Sequence, residues 1–230
     1  MGLFLSMSGI IGKSEYEVEK CLRSYAEKKS GGLEIEELEH LDDNFCVINE
    51  NQNSTTIFYP YALMEWDDVS IYISSELQCP VFSFHIHDGD LWMYLLYNKG
   101  ELVDQFNPIP DYWDDNLSKV DIDEQKGNAK LISELIPDVK IEDINKYLVR
   151  WNLEDDESKA YQDDEFENID WQIVDFMKKI GLEYPIDDSD KPKGKVYRLW
   201  TKELKKSNLE QKQTISESSI NKGVWWKFWA

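Results

Sequence analysis

The sequence predicts an α+β protein: a mainly antiparallel sheet with helices on one face, then a small helical C-terminal region and a flexible tail. Three observations predict it. Short strand-like runs follow one another through links too brief for parallel crossovers. Two stretches among them carry apolar residues at helical spacing. Beyond residue 107 the apolar spacing becomes helical. A composition 41% hydrophobic, with 9 Trp, 12 Tyr and 9 Phe, supplies the packed core that such a fold needs. The expected units are a sheet domain over 1–107, a helical cap packed on it over 108–200, and a basic tail over 201–230.

Leu3–Ile11 is the first expected strand, because it is a short apolar run ahead of a turn. Ser14 and Glu17 then form an S-x-x-E capping box. Val18, Cys21, Leu22 and Tyr25 recur on one helical face, and Gly31-Gly32 stop the helix. Strands are expected near Leu33–Leu38, Asn44–Asn49 and Thr55–Tyr59. Asp67 or Asp68 is placed to cap a second helix with Val69, Tyr72, Ile73 and Leu77 inward.

Val81–His87 and Asp90–Tyr97 flank Asp88-Gly89, the signal for a two-residue hairpin. Asn98-Lys99-Gly100 turns the chain into Leu102–Phe106. Pro108 and Pro110 end the sheet pattern. Helices follow over Leu131–Ile136, Ile141–Trp151 and Ile173–Ile180, the last closed by Gly181.

Charge is divided unevenly along this framework. Residues 1–190 hold 43 Asp and Glu against 15 Lys and Arg, a net of −28, whereas residues 191–230 carry a net of +7. A body this acidic repels phosphate backbones and anionic lipid and attracts cationic proteins. The expected partner is therefore a basic protein, with no nucleic acid and no stable membrane association. In general character, though through no motif, such a chain resembles bacterial toxin-immunity and inhibitor proteins. That likeness implies an acidic cytoplasmic module that neutralises a basic partner. Cys21, Cys46 and Cys79, odd in number and without CxxC spacing, fit reduced buried thiols.

The expected binding residues lie in the hairpin. A two-residue turn would set His87 opposite Asp90, His85 opposite Trp92 and Ser83 opposite Tyr94. His85, His87, Asp90, Trp92 and Tyr94 would then share one face, mixing rings with directional hydrogen-bonding groups. The same face carries the alternative reading, a hydrolase-like enzyme or small-molecule binder. His85-Ile86-His87-Asp88-Gly89-Asp90 somewhat resembles the HxHxDH motif of metallo-β-lactamase-type hydrolases. Its Asp residues stand at other offsets and the last His is missing, so no metal and no cofactor are expected.

Other motifs are fragments. Gly9–Ser14 lacks the first glycine of a P-loop, and Asp121–Gly127 lacks the spacing of a Ca²⁺ loop. Met1–Ser6 fits the MGxxxS acylation pattern without a polybasic second signal. Trp225, Trp226, Phe228 and Trp229 close the basic tail and read as docking anchors, for the chain's own acidic body, for a partner or for a membrane edge. No nucleophile elbow, HExxH or dinucleotide-binding pattern occurs. Binding is favoured over catalysis on this balance.

Overall fold

The computed structural model describes residues 4–37, 45–87, 91–112, 114, 116–151, 169–187, 189 and 191–205. Eight strands form one sheet: β1 (Leu5–Ile10), β2 (Gly32–Ile35), β3 (Phe45–Asn51), β4 (Ser54–Phe58), β5 (Pro80–His87), β6 (Leu91–Asn98), β7 (Glu101–Phe106) and β8 (Lys195–Trp200). Their order is β2-β8-β3-β4-β1-β5-β6-β7, and every neighbouring pair is antiparallel. The α+β class read from the sequence is the one observed.

Helices α1 (Glu15–Lys28) and α2 (Trp66–Leu77) cover one face. Ser14 caps α1 through the expected reciprocal box with Glu17, and Val18, Cys21, Leu22, Tyr25 and Ala26 are its buried stripe. Gly31 has a second role beyond ending α1. A Cβ there would meet the Trp200 carbonyl oxygen at 1.7 Å, so only glycine lets the chain pass β8.

The second helix departs from expectation at its start. Its N-cap is Glu65, whose side chain makes no capping bond, while Asp67 and Asp68 lie inside the first turn. They still act favourably there on the helix dipole.

The other face is covered from the C-terminal half. That half contains α3 (Lys119–Glu124), α4 (Ala129–Leu135), α5 (Ile141–Ile144) and α6 (Ile169–Lys179). Phe176, Ile173 and Met177 of α6, Ile180 just after it and Ile132 of α4 pack on Met7, Phe82, Phe84, Tyr94 and Trp92. Asp121 proves to be the partner of Ser118 in the capping box of α3. The expected long helix over 141–151 ends early, at α5 and a 3₁₀ turn over Asn145–Tyr147. Trp151 N–H instead bonds the Pro108 carbonyl, tying this region back to the end of the sheet.

Residues 195–200 correct the expected boundary of the cap. Rather than belonging to a helical unit, they form β8, between β2 and β3. The reason is period-2 burial around an exposed Arg198: Val196 enters one core, Tyr197 and Leu199 the other. Lys195 Nζ reaches Glu15 Oε1 at 2.6 Å, and the Tyr197 hydroxyl donates to Glu19 at 3.1 Å, so β8 is also pinned to α1.

Candidate functional site

The hairpin register decides which side chains meet. His87 pairs with Leu91, His85 with Met93, Phe84 with Tyr94 and Ile86 with Trp92. Three residues separate the paired ends, where the Asp-Gly signal had predicted two. A shift of one residue turns every side chain of a strand over. Trp92 and Tyr94 therefore leave the histidines and join the buried face under α6, each 1% exposed. The energetic reason is visible in their neighbours. Phe176 lies 5.2 Å from the Trp92 ring and 5.7 Å from Tyr94, nearly parallel to the latter. Burying two such rings outweighs the preference of a local turn.

The five expected binding residues are therefore not one cluster. Tyr94 donates to Asp104 Oδ2 at 2.8 Å, and Asn128 N–H donates to the same oxygen at 2.9 Å. This joins β6 and β7 to the start of α4. Burial, opposed by these bonds, raises the Asp104 carboxyl above its ordinary value. Trp92 donates from Nε1 to Gln172 at 3.5 Å. Asp90, and the tail anchors Trp225, Trp226, Phe228 and Trp229, lie outside the described residues.

His85 and His87 do stay together, and they acquire partners that the sequence did not point to. His85 and Ser6 are cross-strand neighbours on β5 and β1, with Nδ1 and Oγ 2.9 Å apart. Trp66, the first residue of α2, stacks on His85 at 4.9 Å between centroids with planes 3° apart. The two histidine rings are 6.1 Å apart. His87 meets Phe4 edge-on at 4.8 Å and Tyr112 at 6.0 Å. The result is a row of rings running from Trp66 through His85 and His87 to Phe4 and Tyr112.

Desolvation, helped by the neighbouring His87, lowers the His85 imidazole to about 4. It is neutral near pH 7, so the row carries no fixed positive charge at that ring. Tyr112 is 40% exposed, and two residues of the loop entering α2, Tyr61 and Met64, are 46% and 77% exposed. Glu65, Asp67 and Asp68 surround Trp66 in sequence, and Asp111 precedes Tyr112. Exposed rings and a thioether beside carboxylates suit recognition of a surface that is itself part apolar and part cationic.

Behind this row is a closed polar line. Ser8 Oγ is 2.6 Å from both Tyr59 OH and Ser70 Oγ, and Ser70 Oγ donates to Ser83 Oγ at 2.8 Å. All four residues are buried. A hydroxyl both donates and accepts, which lets such a chain satisfy itself without water.

Signs of other chemistry are weak. Among the described residues no three His, Cys, Asp or Glu side chains are arranged to hold a metal ion. The three cysteines are free and buried. Burial pushes the Cys79 thiol up to about 11 and Cys21 to about 12, which leaves little thiolate for nucleophilic work. Asp187 accepts from the Ser189 and Lys191 amides, so its carboxylate is already occupied by backbone. No described helix is long and apolar enough to cross a membrane. Comparison with family models, with characterised proteins and with solved structures returns no match to this chain.

Proposed function

We propose that this chain is a cytoplasmic, immunity-like binding module that engages and neutralises a basic protein through the ring row. The observation that carries the reading is the row itself: Trp66, His85, His87, Phe4 and Tyr112 in succession, ending at exposed Tyr112 on an acidic body. Aromatic anchors supply most of the affinity in interfaces of this type. Long-range charge supplies speed and discrimination against acidic or neutral competitors. A net charge of −21 favours both over contact with phosphate backbones.

The test uses the intact chain as bait in native extract at low salt, followed by binding measurements on the purified pair. Trp66→Ala and Tyr112→Ala should each weaken the complex by about tenfold or more, as truncated hot spots do. Full affinity in both variants would remove the ring row from the interface.

A second reading, hydrolase-like chemistry or small-molecule binding, is favoured by one contact, that of Ser6 Oγ with a neutral imidazole at 2.9 Å. A hydroxyl on a base is the first requirement of nucleophilic catalysis. Against it, Trp66 lies flat on the imidazole face and Ser6 is only 9% exposed. Stoichiometric labelling of Ser6 by a fluorophosphonate probe would support this alternative. An unmodified Ser6 would leave the binding reading alone.

A further inference from the structure

Next to the ring row, where the end of α1 meets the start of α2, two buried polar atoms are left without a partner. They are the Tyr25 hydroxyl and Glu65 Oε2. Tyr25 is 3% exposed in the free chain, with the Lys29 ammonium over its ring. Buried polar atoms are almost always paired, so each of these two calls for an explanation. Burial raises the Tyr25 phenol, and the charges of Glu65, Asp68, Asp67 and Glu203 push it the same way. The first two of α2's carboxylates, Asp67 and Asp68, also act on buried Tyr97, which is pushed up to about 12, mainly by desolvation. Four carboxylates thus address one small region.

Lys29 stands in it. Lys29 Nζ is 3.8 Å from Glu65 Oε1, 3.7 Å from Asp68 Oδ2 and 5.6 Å from the centroid of the Tyr25 ring. Both ion pairs are at the outer limit of contact. The ammonium neither reaches Glu65 Oε2 nor gives the phenol a partner. Lys28 is turned to Glu76 and over Tyr72, and Lys205 over Trp200. Glu65 occupies the N-cap of α2 without capping it. Ser, Thr, Asp or Asn would serve the helix better there. Glu65 is thus placed for the niche rather than for the helix.

We propose that this niche, walled by Tyr25, Glu65 and Asp68, receives a guanidinium group from the basic partner, and that Lys29 holds its place in the free chain. The proposal rests on the binding function above and specifies which group the partner presents. A guanidinium is planar and carries five donors in a fixed fork. It can bond both oxygens of Glu65 side-on, reach Asp68, and give the Tyr25 oxygen a donor. A compact ammonium directs three donors from one point and leaves some of these acceptors unmet. Lys29 is replaceable because its contacts are long and its side chain is 36% exposed. Trp66 follows Glu65 directly, so an arginine seated here brings its neighbours over the ring row.

The experiment titrates the full chain with N-acetyl-arginine amide, N-acetyl-lysine amide and N-acetyl-citrulline amide, following backbone amide shifts. The arginine amide should shift residues 25, 29, 65 and 68 and bind tighter than the lysine amide. The neutral citrulline analogue should not bind. Lys29→Ala, which empties the niche, should tighten arginine amide binding about threefold or more. Glu65→Gln should weaken it about tenfold, the effect of losing a charge-assisted pair. Tyr25→Phe should weaken it less, with thermal melting confirming that it folds. Equal binding of citrulline, shifts mapping elsewhere, or a Lys29→Ala variant with no gain would overturn the niche. If those results coincide with intact, Trp66-dependent binding of the whole partner, the niche fails and the ring row stands. The converse pattern sinks the ring row alone.

Discussion

The two faces of the sheet are buried by different means. Under α4 to α6 the contacts are ring against ring. Phe176 touches Phe82, Phe84, Trp92, Tyr94 and Tyr147, with centroids 5.2 to 6.3 Å apart. Under α1 and α2 the apolar cluster is interrupted by the Tyr59–Ser8–Ser70–Ser83 hydroxyl line and by the Ser6–His85 contact. Apolar packing is nondirectional and tolerates no voids, so the first face supplies stability. Hydroxyl lines fix geometry, because each member must point at its neighbour. The second face holds α2 in register, and with it Trp66 and the N-cap residue Glu65.

The sharpest way to break this contrast is Phe176→Ala. Deleting a fully buried ring costs about 3–5 kcal/mol, which consumes a large part of a typical domain's stability. Urea unfolding should show it as a drop in midpoint. A loss below about 1 kcal/mol would mean that the α6 face is not the stabilising one.

The next effect is one of pH. His85 is held at about 4, whereas an unfolded histidine titrates near 6.5. The unfolded chain therefore binds the extra proton first, and stability falls as pH drops from about 6.5 to 4. That shift amounts to about 3 kcal/mol at full effect, all of it retained above the upper end of the window. Denaturation at several pH values should show the slope in the native chain and its near disappearance in His85→Asn. Parallel profiles for the two would contradict burial of the imidazole.

Ser70→Ala should cost somewhat less, about 1–3 kcal/mol, because it removes the middle of the hydroxyl line and strands Ser83, while Ser8 keeps the Tyr59 hydroxyl. Differential scanning calorimetry would measure it. The informative detail is coupling: combined with Ser83→Ala the losses should not add, since the two share one bond. Smallest of all is Lys130→Ala, whose ion pair with Glu134 at 3.8 Å is exposed on both sides. Its melting temperature should stay within experimental scatter.

Much of this fold was legible because periodicity and punctuation agree. The Ser14–Glu17 box, the α1 stripe and the strands on either side of Asn98-Lys99-Gly100 all stand where pattern and turn chemistry point together. Strand β8 was harder to see. Its Lys-Val-Tyr-Arg-Leu-Trp run is short and charged, and its place in the sheet depends on partners about 150 residues away in the chain. The site was half legible. The His85 and His87 pairing follows from strand alternation alone, but their grouping with Trp92 and Tyr94 required a register that the α6 core overrules. Trp66 could not be linked to His85 from sequence, since that contact depends on how α2 crosses β5. The niche at Tyr25 and Glu65 was equally hidden, because orphaned atoms are a property of packing and not of residue type.

The central claim is that an acidic body steers a basic protein onto the Trp66–Tyr112 row. Stopped-flow association of the purified pair across a range of ionic strength tests it most directly. The account predicts an on-rate that falls steeply as salt rises, with Trp66→Ala changing mainly the off-rate. An on-rate indifferent to salt, with dissociation unchanged in Trp66→Ala, would contradict it.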